Sequence, residues 1–279
     1  MSNKRKLQDS FRYFLVFGAA FFVVSMLVFI IGYILYRGLG FVTWEFLTTS
    51  SDALEGTVGI LPAILNTLYV ILLTLLIALP LGIGAAIYLT EYSTNKVLKR
   101  VIEAMVETLA AIPSIIYGLV GITLFTEILG FGLSLYSGCF TMVIMILPTV
   151  IRTTQESLKT VPMSYREGAL GLGSTKWHMI RTIVLPSSLD GVVTGGILAV
   201  GRIVGESAAL LFTAGVVEGV VSNIWTAYGK SGSTLSVVLY LYANNRANFD
   251  VAFAIASVLM VIVLVINISA LLVQRKKRS

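Results

Sequence analysis

Apolar runs set the plan of the chain. Six of them, at about 14–36, 64–89, 101–129, 139–157, 192–217 and 249–273, approach the ~20 residues that a helix needs to cross a bilayer. None alternates with a strand-like period of two, and backbone in hydrocarbon must satisfy its own hydrogen bonds. The pattern therefore predicts an all-α integral membrane protein with six transmembrane helices. In the fourth run the apolar stretch is short, and Arg152 and Lys159 set its inner boundary. Pro80, followed by Gly82 and Gly84, predicts a kink or break in the second span. The first run follows Lys4, Arg5 and Lys6; it is too long for a signal-peptide core and has no small-x-small cleavage site, so it reads as a retained helix.

Between the fourth and fifth runs lies the one long polar stretch, Pro162 to Pro186. Pro162 can open a short helix, Ser164 is placed to cap it, Glu167 three residues on completes a capping box, and Gly171 and Gly173 stop it. A short capped helix held between two spans can transmit motion as a rigid peg. The plainer reading is an ordinary surface helix in a cytoplasmic loop.

Composition agrees with the runs. Hydrophobic residues are 57% of the chain and charged ones 12%, about half the charged share of a soluble domain. A net charge of +6 would raise nucleic-acid binding for a soluble protein, but here the basic residues are sorted by side. Of 20 Lys and Arg, 16 fall before the first span, in 92–100, in 152–193 and after Val273, while Arg37, Lys230 and Arg246 lie opposite. That asymmetry predicts cytoplasmic termini and a cytoplasmic Pro162–Pro186 loop, with no role for nucleic acid. The single cysteine, Cys139, excludes an internal disulfide and reads as a buried thiol.

Arg202 is the charge that hydrocarbon tolerates least. It lies well inside the fifth run, where an arginine costs about 2.5–3.5 kcal/mol on insertion scales. If the run is one continuous helix, Gly195, Ala199, Gly205, Glu206, Ala209 and Thr213 share its face, a small and polar wall. Two readings stand. Arg202 and Glu206, one turn apart, neutralise each other; or the guanidinium exchanges that carboxylate for a travelling oxyanion, which its fork matches bidentately. Glu103 and Glu107 suit a helix N-terminus by its dipole or contact the polar loop. Gly118 and Gly121, the pair Gly191 and Gly195, and the pair Gly201 and Gly205 predict close helix packing. Trp225, Tyr228, Tyr240 and Tyr242 read as interfacial aromatics and as part of a docking surface for an external partner.

Two motifs tie these features to a known family. Glu167, Gly168, Ala169, Gly173, Ile183, Leu185 and Pro186 stand at the spacing E-x-A-x-x-x-G, nine residues, I-x-L-P. This resembles the EAA loop of ATP-binding-cassette (ABC) import permeases, which docks on a separate ATPase subunit. Gly168 replaces the usual Ala, weakening helix propensity by about 1 kcal/mol. The run GRIVGESAALLFTAG is similar to the R-x-x-G-E-T-A-P-L segment of phosphate-specific ABC permeases. IPSIIYGLVG, LPLGIGAAIYLTEY, LPTVIRTTQESLKTVP and ILPAILNTLY also look like that family, more the PstA type than the PstC type. Ser207 stands for the usual Thr and keeps a hydroxyl; Ala209 stands for the usual Pro and predicts a straighter helix.

The resemblance implies a type I ABC importer permease in a prokaryotic inner membrane. Residues 1–60 would form an N-terminal helix and outer loop, 61–273 the permease core of five helices, and 274–279 a basic cytoplasmic tail. It places Arg202 and Glu206 on the phosphate path, and Ser207 and Thr213 of the same segment are further candidates for its lining. It also implies a PstC-type permease partner, two PstB-type ATPases that carry the ATP and Mg²⁺, and an external PstS-type phosphate-binding protein. No cofactor is expected on this chain: GALGLGST at Gly168–Thr175 lacks the P-loop lysine and follows no strand. Other classes have less support in the residues. A secondary anion transporter predicts inverted repeats, and no convincing duplication is visible. An intramembrane enzyme would have only His178, Glu103 and Glu107. Another oxyanion or a phosphonate fits the same features.

Overall fold

The computed structural model describes residues 3–52, 57–217, 227–244 and 248–276. Four helices in it are long and apolar enough to cross a membrane, and two bent pairs bring the crossings to as many as six.

The first, α1 (Asn3–Gly38), buries none of its apolar window and touches the rest through the last helix, α12 (Phe249–Lys276). There the Tyr33 ring meets Phe253 edge-on at 5.7 Å and Ser257 donates to the Ile34 carbonyl at 3.1 Å. After α1 come a short helix, α2 (Trp44–Thr48), and two strands, β1 (Ser50–Asp52) and β2 (Thr57–Ile60), paired antiparallel. This small hairpin holds the only β-strands among the described residues. Glu55 of the same loop lies outside them.

The centre of the bundle is α3 (Leu61–Ile87) against α6 (Leu135–Thr160), with α9 (Leu189–Gly205) on the other side of α6. Val70, Ala78, Met142, Met145, Ile146, Val150, Ala199 and Ile203 are buried between them. Lipid is as apolar as these side chains, so van der Waals packing and close approach hold the helices together. Two glycines make that approach: a Cβ on Gly191 would strike Ser157, and one on Gly195 would strike Thr153. The predicted packing holds for this pair. It fails within this chain for Gly201 and Gly205, which are exposed and have nothing within 4 Å. Cys139 is fully buried, as predicted.

Several boundaries differ from the sequence pattern. Helix α3 runs unbroken through Pro80, and the irregularity comes later, in a π-helical turn at Tyr88–Tyr92. Helix α6 extends past both ends of the predicted fourth span. The predicted third span is two helices, α4 (Lys96–Ala111) and α5 (Ser114–Gly121, continuing to Ile128), that meet at 99°. Pro113 causes this bend, because a proline pushes the preceding residue out of the helical region and Ile112 sits at ψ 132. Asn95 caps α4 by accepting from the Val97 and Leu98 amides. No residue of α4 is buried; it mixes apolar residues with Lys and Glu, as a helix lying in the membrane interface does.

The predicted fifth span is also divided. Ahead of it, outside the predicted bounds, a helix through Lys176–Ser187, α8, meets α9 at 66°. Helix α9 then ends at Gly205, Glu206 is extended (φ −81, ψ 117), and a new short helix, α10 (Ala208–Thr213), follows. The single wheel face drawn from Gly195 to Thr213 therefore does not exist. Nor does the lack of proline at 209 straighten the helix. Irregular backbone at that depth must be satisfied by protein, and Ser236 on α11 (Leu235–Asn244) donates to the Glu206 carbonyl at 2.7 Å.

Helix α11 belongs to a segment that folds back into the bundle. Asn66 donates to the Ser233 carbonyl (3.1 Å), and Thr67 accepts from the Leu235 amide (2.9 Å). Tyr228 and Tyr242 are buried, the former stacked on Tyr136 at 5.4 Å, so of the predicted surface aromatics only Tyr240 is exposed among the described residues. Trp225 and Arg246 lie outside the described residues, as do the last residues of the basic tail.

Candidate functional site

The polar loop forms a helical hairpin on the ends of α3 and α6. Its first arm is α7 (Met163–Gly171) and its second is α8. Pro162 precedes the helix, as predicted, but the expected capping box is absent: Ser164 lies inside the first turn, and no side chain caps the N-terminus. The C-terminus is built as the glycines suggest. Gly173 adopts φ +81, the Ser174 amide donates to the Ala169 carbonyl (3.1 Å) and the Gly173 amide to that of Leu170 (3.0 Å). These two bonds are a Schellman cap, whose left-handed residue is normally glycine. Thr175 then caps α8 by accepting from the His178 amide at 3.3 Å. The His178 side chain is exposed.

The motif residues divide by face. Ala169 is buried with Met179, Ile180 and Val184 on Ala86, Ile87, Leu158 and Val161, and Ile183 and Leu185 pack at the edge of that cluster. Glu167, Gly168 and Pro186 face outward. Around them Met163, Tyr165, Leu172 and Trp177 are exposed, Leu172 by 91%. Large exposed apolar side chains are characteristic of protein–protein or membrane contact surfaces.

A residue pair the sequence reading passed over anchors this hairpin. The Arg166 guanidinium lies 2.8 Å from Glu91, with the two side chains only 10% and 6% exposed. It also donates to the carbonyls of Val161 (2.6 Å) and Leu158 (2.9 Å). A signal was present: Glu91 closes an apolar run, where a carboxylate near lipid needs a cation.

The second part of the site is the break in the fifth span. Arg202 sits in the last turn of α9, where the helix dipole favours a cation, and reaches across to the Thr149 hydroxyl of α6 at 3.4 Å. Glu206 does not pair with it: among the described residues no ion pair joins the two. Its Oε1 instead accepts from the Ala209 amide at 3.0 Å and caps α10. Ser207 lines a cleft of about 160 Å³ with Ile115, Phe212 and Tyr240. Thr213 is apart from this group, fully buried, with its hydroxyl donating to the Ala209 carbonyl at 2.8 Å. The structure thus brings Arg202, Glu206 and Ser207 to one break and leaves Thr213 in the packing.

Beyond Thr149, towards the loop end of α6, a cleft of about 250 Å³ is lined by Glu103, Glu107, Arg152, Gln155, Glu156 and Lys159. Glu103 and Glu107 are not in the first turn of α4, so the dipole does not explain them. They face α6 rather than the hairpin: Glu103 accepts from Gln155 (3.3 Å), and Glu107 pairs with Arg152 (3.5 Å), which also reaches Glu156 (3.3 Å). These ion pairs are more than half exposed and add little stability.

A bundle of bent spans, a hairpin carrying the EAA spacing and an intramembrane arginine at a helix break define a transport permease. The chain belongs to the family of binding-protein-dependent transport system inner membrane components, whose model matches residues 78–279. Its relatives make it a PstA-type permease. It is 32% identical to the phosphate transport system permease protein PstA of Pasteurella multocida, over 95% of this chain and 94% of that one. PstA 1 of Mycobacterium tuberculosis is also 32% identical, over 91% and 84% of the two chains. A probable ABC transporter permease, YqgI of Bacillus subtilis, is 32% identical over 95% of each. Among solved structures, a chain of a bacterial alginate ABC transporter, crystallised with its alginate-bound periplasmic protein, matches with a TM-score of 0.70 at 17% identity, covering 96% and 94%. A MetNI methionine transporter chain matches at 0.60 and 21%, covering 78% and 94%. These two likenesses give the type I ABC importer permease fold.

Proposed function

We propose that this chain forms half of the translocation path of an ATP-driven importer of inorganic phosphate. The observation that carries phosphate is the similarity to PstA permeases along nearly the whole chain. A PstC-type permease would complete the path against the exposed face of α9. Two PstB-type ATPases, holding ATP and Mg²⁺, would take the hairpin α7–α8, whose outward apolar tip supports such a docking. A PstS-type protein would deliver the anion from outside. The sorting of basic residues supports cytoplasmic termini and a cytoplasmic hairpin. On ATP binding the ATPases close, the hairpins move with them, and the path lined by Arg202 opens outward.

Arg202 is the residue proposed to meet the anion, with Ser207 beside it as a neutral donor. The test is phosphate uptake by the whole complex in liposomes, with ATP on the hairpin side. Replacing Arg202 by Gln removes charge-assisted hydrogen bonds worth about 1.5–3 kcal/mol, so uptake should fall roughly tenfold to a hundredfold while the complex still assembles. Wild-type uptake in that variant overturns the role of Arg202. Stronger competition from sulfate, molybdate or a phosphonate than from phosphate overturns the substrate, and uptake without the ATPases overturns the class.

A further inference from the structure

We propose that Arg166 is the positioning residue that makes the hairpin a lever, by locking α7 to the ends of two core spans at once. The inference rests on the reading of α7–α8 as the ATPase-docking element.

Helix α7 has nine residues, too few to hold its shape unaided, and Ala169 is its one apolar residue in the buried cluster beneath it. What fixes it is the guanidinium. Nε and Nη2 both reach Glu91 Oε1 (3.2 and 2.8 Å), on the turn that ends α3. Nη1 and Nη2 also hold the carbonyls of Val161 and Leu158, at the end of α6. Each acceptor matches a fixed direction of the planar fork, which an ammonium cannot reproduce.

The neighbours give this anchor its purpose. Glu167, next in sequence, points outward to where a partner sits, while Arg166 points inward. A displacement of the outer face is therefore delivered to α3 and α6 rather than absorbed by bending of the loop. Helix α6 carries Thr149, the hydroxyl that Arg202 touches. The chain of contact from Glu167 through Arg166 and α6 to Arg202 is continuous. A surface helix would have no need to bury an ion pair at its root.

The test uses the complete complex in liposomes with Arg166→Lys and Glu91→Gln, measuring phosphate taken up per ATP hydrolysed and hydrogen exchange of the 163–171 amides. Arg166→Lys keeps the charge and loses the fork; Glu91→Gln keeps the shape and loses the charge. In both, hydrolysis should continue while uptake per ATP falls about tenfold, the scale of a coupling between two sites, and exchange in α7 should quicken. A purely structural pair would lower hydrolysis and uptake in the same proportion, with their ratio unchanged, and that result overturns the proposal. So does failure of both variants to assemble, which would make the pair a folding requirement. If the wild-type hairpin cannot be cross-linked to an ATPase subunit, the docking reading fails instead, and the two failures are distinct.

Discussion

Replacing Gly173 by Ala should loosen the hairpin tip through the backbone alone. No atom lies within 4 Å of the Cβ it would add, so nothing clashes. The strain comes from φ +81, a left-handed conformation that costs an L-residue about 1–2 kcal/mol. Alanine also narrows the unfolded ensemble and recovers up to about 1 kcal/mol. The net cost is therefore near 1 kcal/mol, roughly a fivefold shift in the local opening equilibrium. Hydrogen exchange in the assembled complex reads this directly: the Ser174 amide, bonded to the Ala169 carbonyl, should exchange several times faster. Gly173→Asn should cost less, because Asn tolerates the left-handed region. Gly168→Ala should act in the opposite direction, since Gly168 is helical with open space around it and Ala gains about 1 kcal/mol there. One chemical change with opposite signs at two positions five residues apart is the signature. Equal effects at both sites, or a tip as well protected in Gly173→Ala as in the wild type, would refute the reasoning.

Two further outcomes check the site. Glu167→Lys, at an exposed position of the proposed docking face, should leave folding intact and reduce ATP-coupled uptake, measured as phosphate per ATP; normal coupled turnover would remove the residue from the interface. Cysteines at Leu172 and at Lys230, both exposed, should react with impermeant reagents from opposite sides of the membrane, and labelling from one side would break the proposed orientation.

What the sequence made legible was local. The Gly173 cap follows from φ > 0 and a few neighbouring bonds, and Ala169 inward with Glu167 outward follows from helical spacing. Hydropathy found the four unbroken crossings because each is a contiguous run. It could not see the right angle at Pro113, since α4 and α5 join without losing apolar character and the bend depends on one backbone dihedral. It also missed the break at Glu206, where no proline stands. That break is stabilised from α11, thirty residues away, by Ser236. Arg166 and Glu91 are separated by 75 residues and meet only because α3 and α6 end side by side. Hairpin contacts were readable from spacing; contacts between spans required the fold.

The break changes what Arg202 can do. On a continuous helix it would lie one turn from Glu206, and an arriving anion would have to compete with a carboxylate for the guanidinium. In the broken helix each charge is used at a helix end: Glu206 takes an amide of α10, and Arg202 lies among the last carbonyls of α9. Among the described residues, the one hydrogen bond from the guanidinium is the long contact to Thr149, so most of its five donors are available. On the proposed path an oxyanion would displace a single weak neutral bond rather than an ion pair. Such a site would give up little on binding and could also release. Transit requires that balance, whereas a deep binding pocket does not.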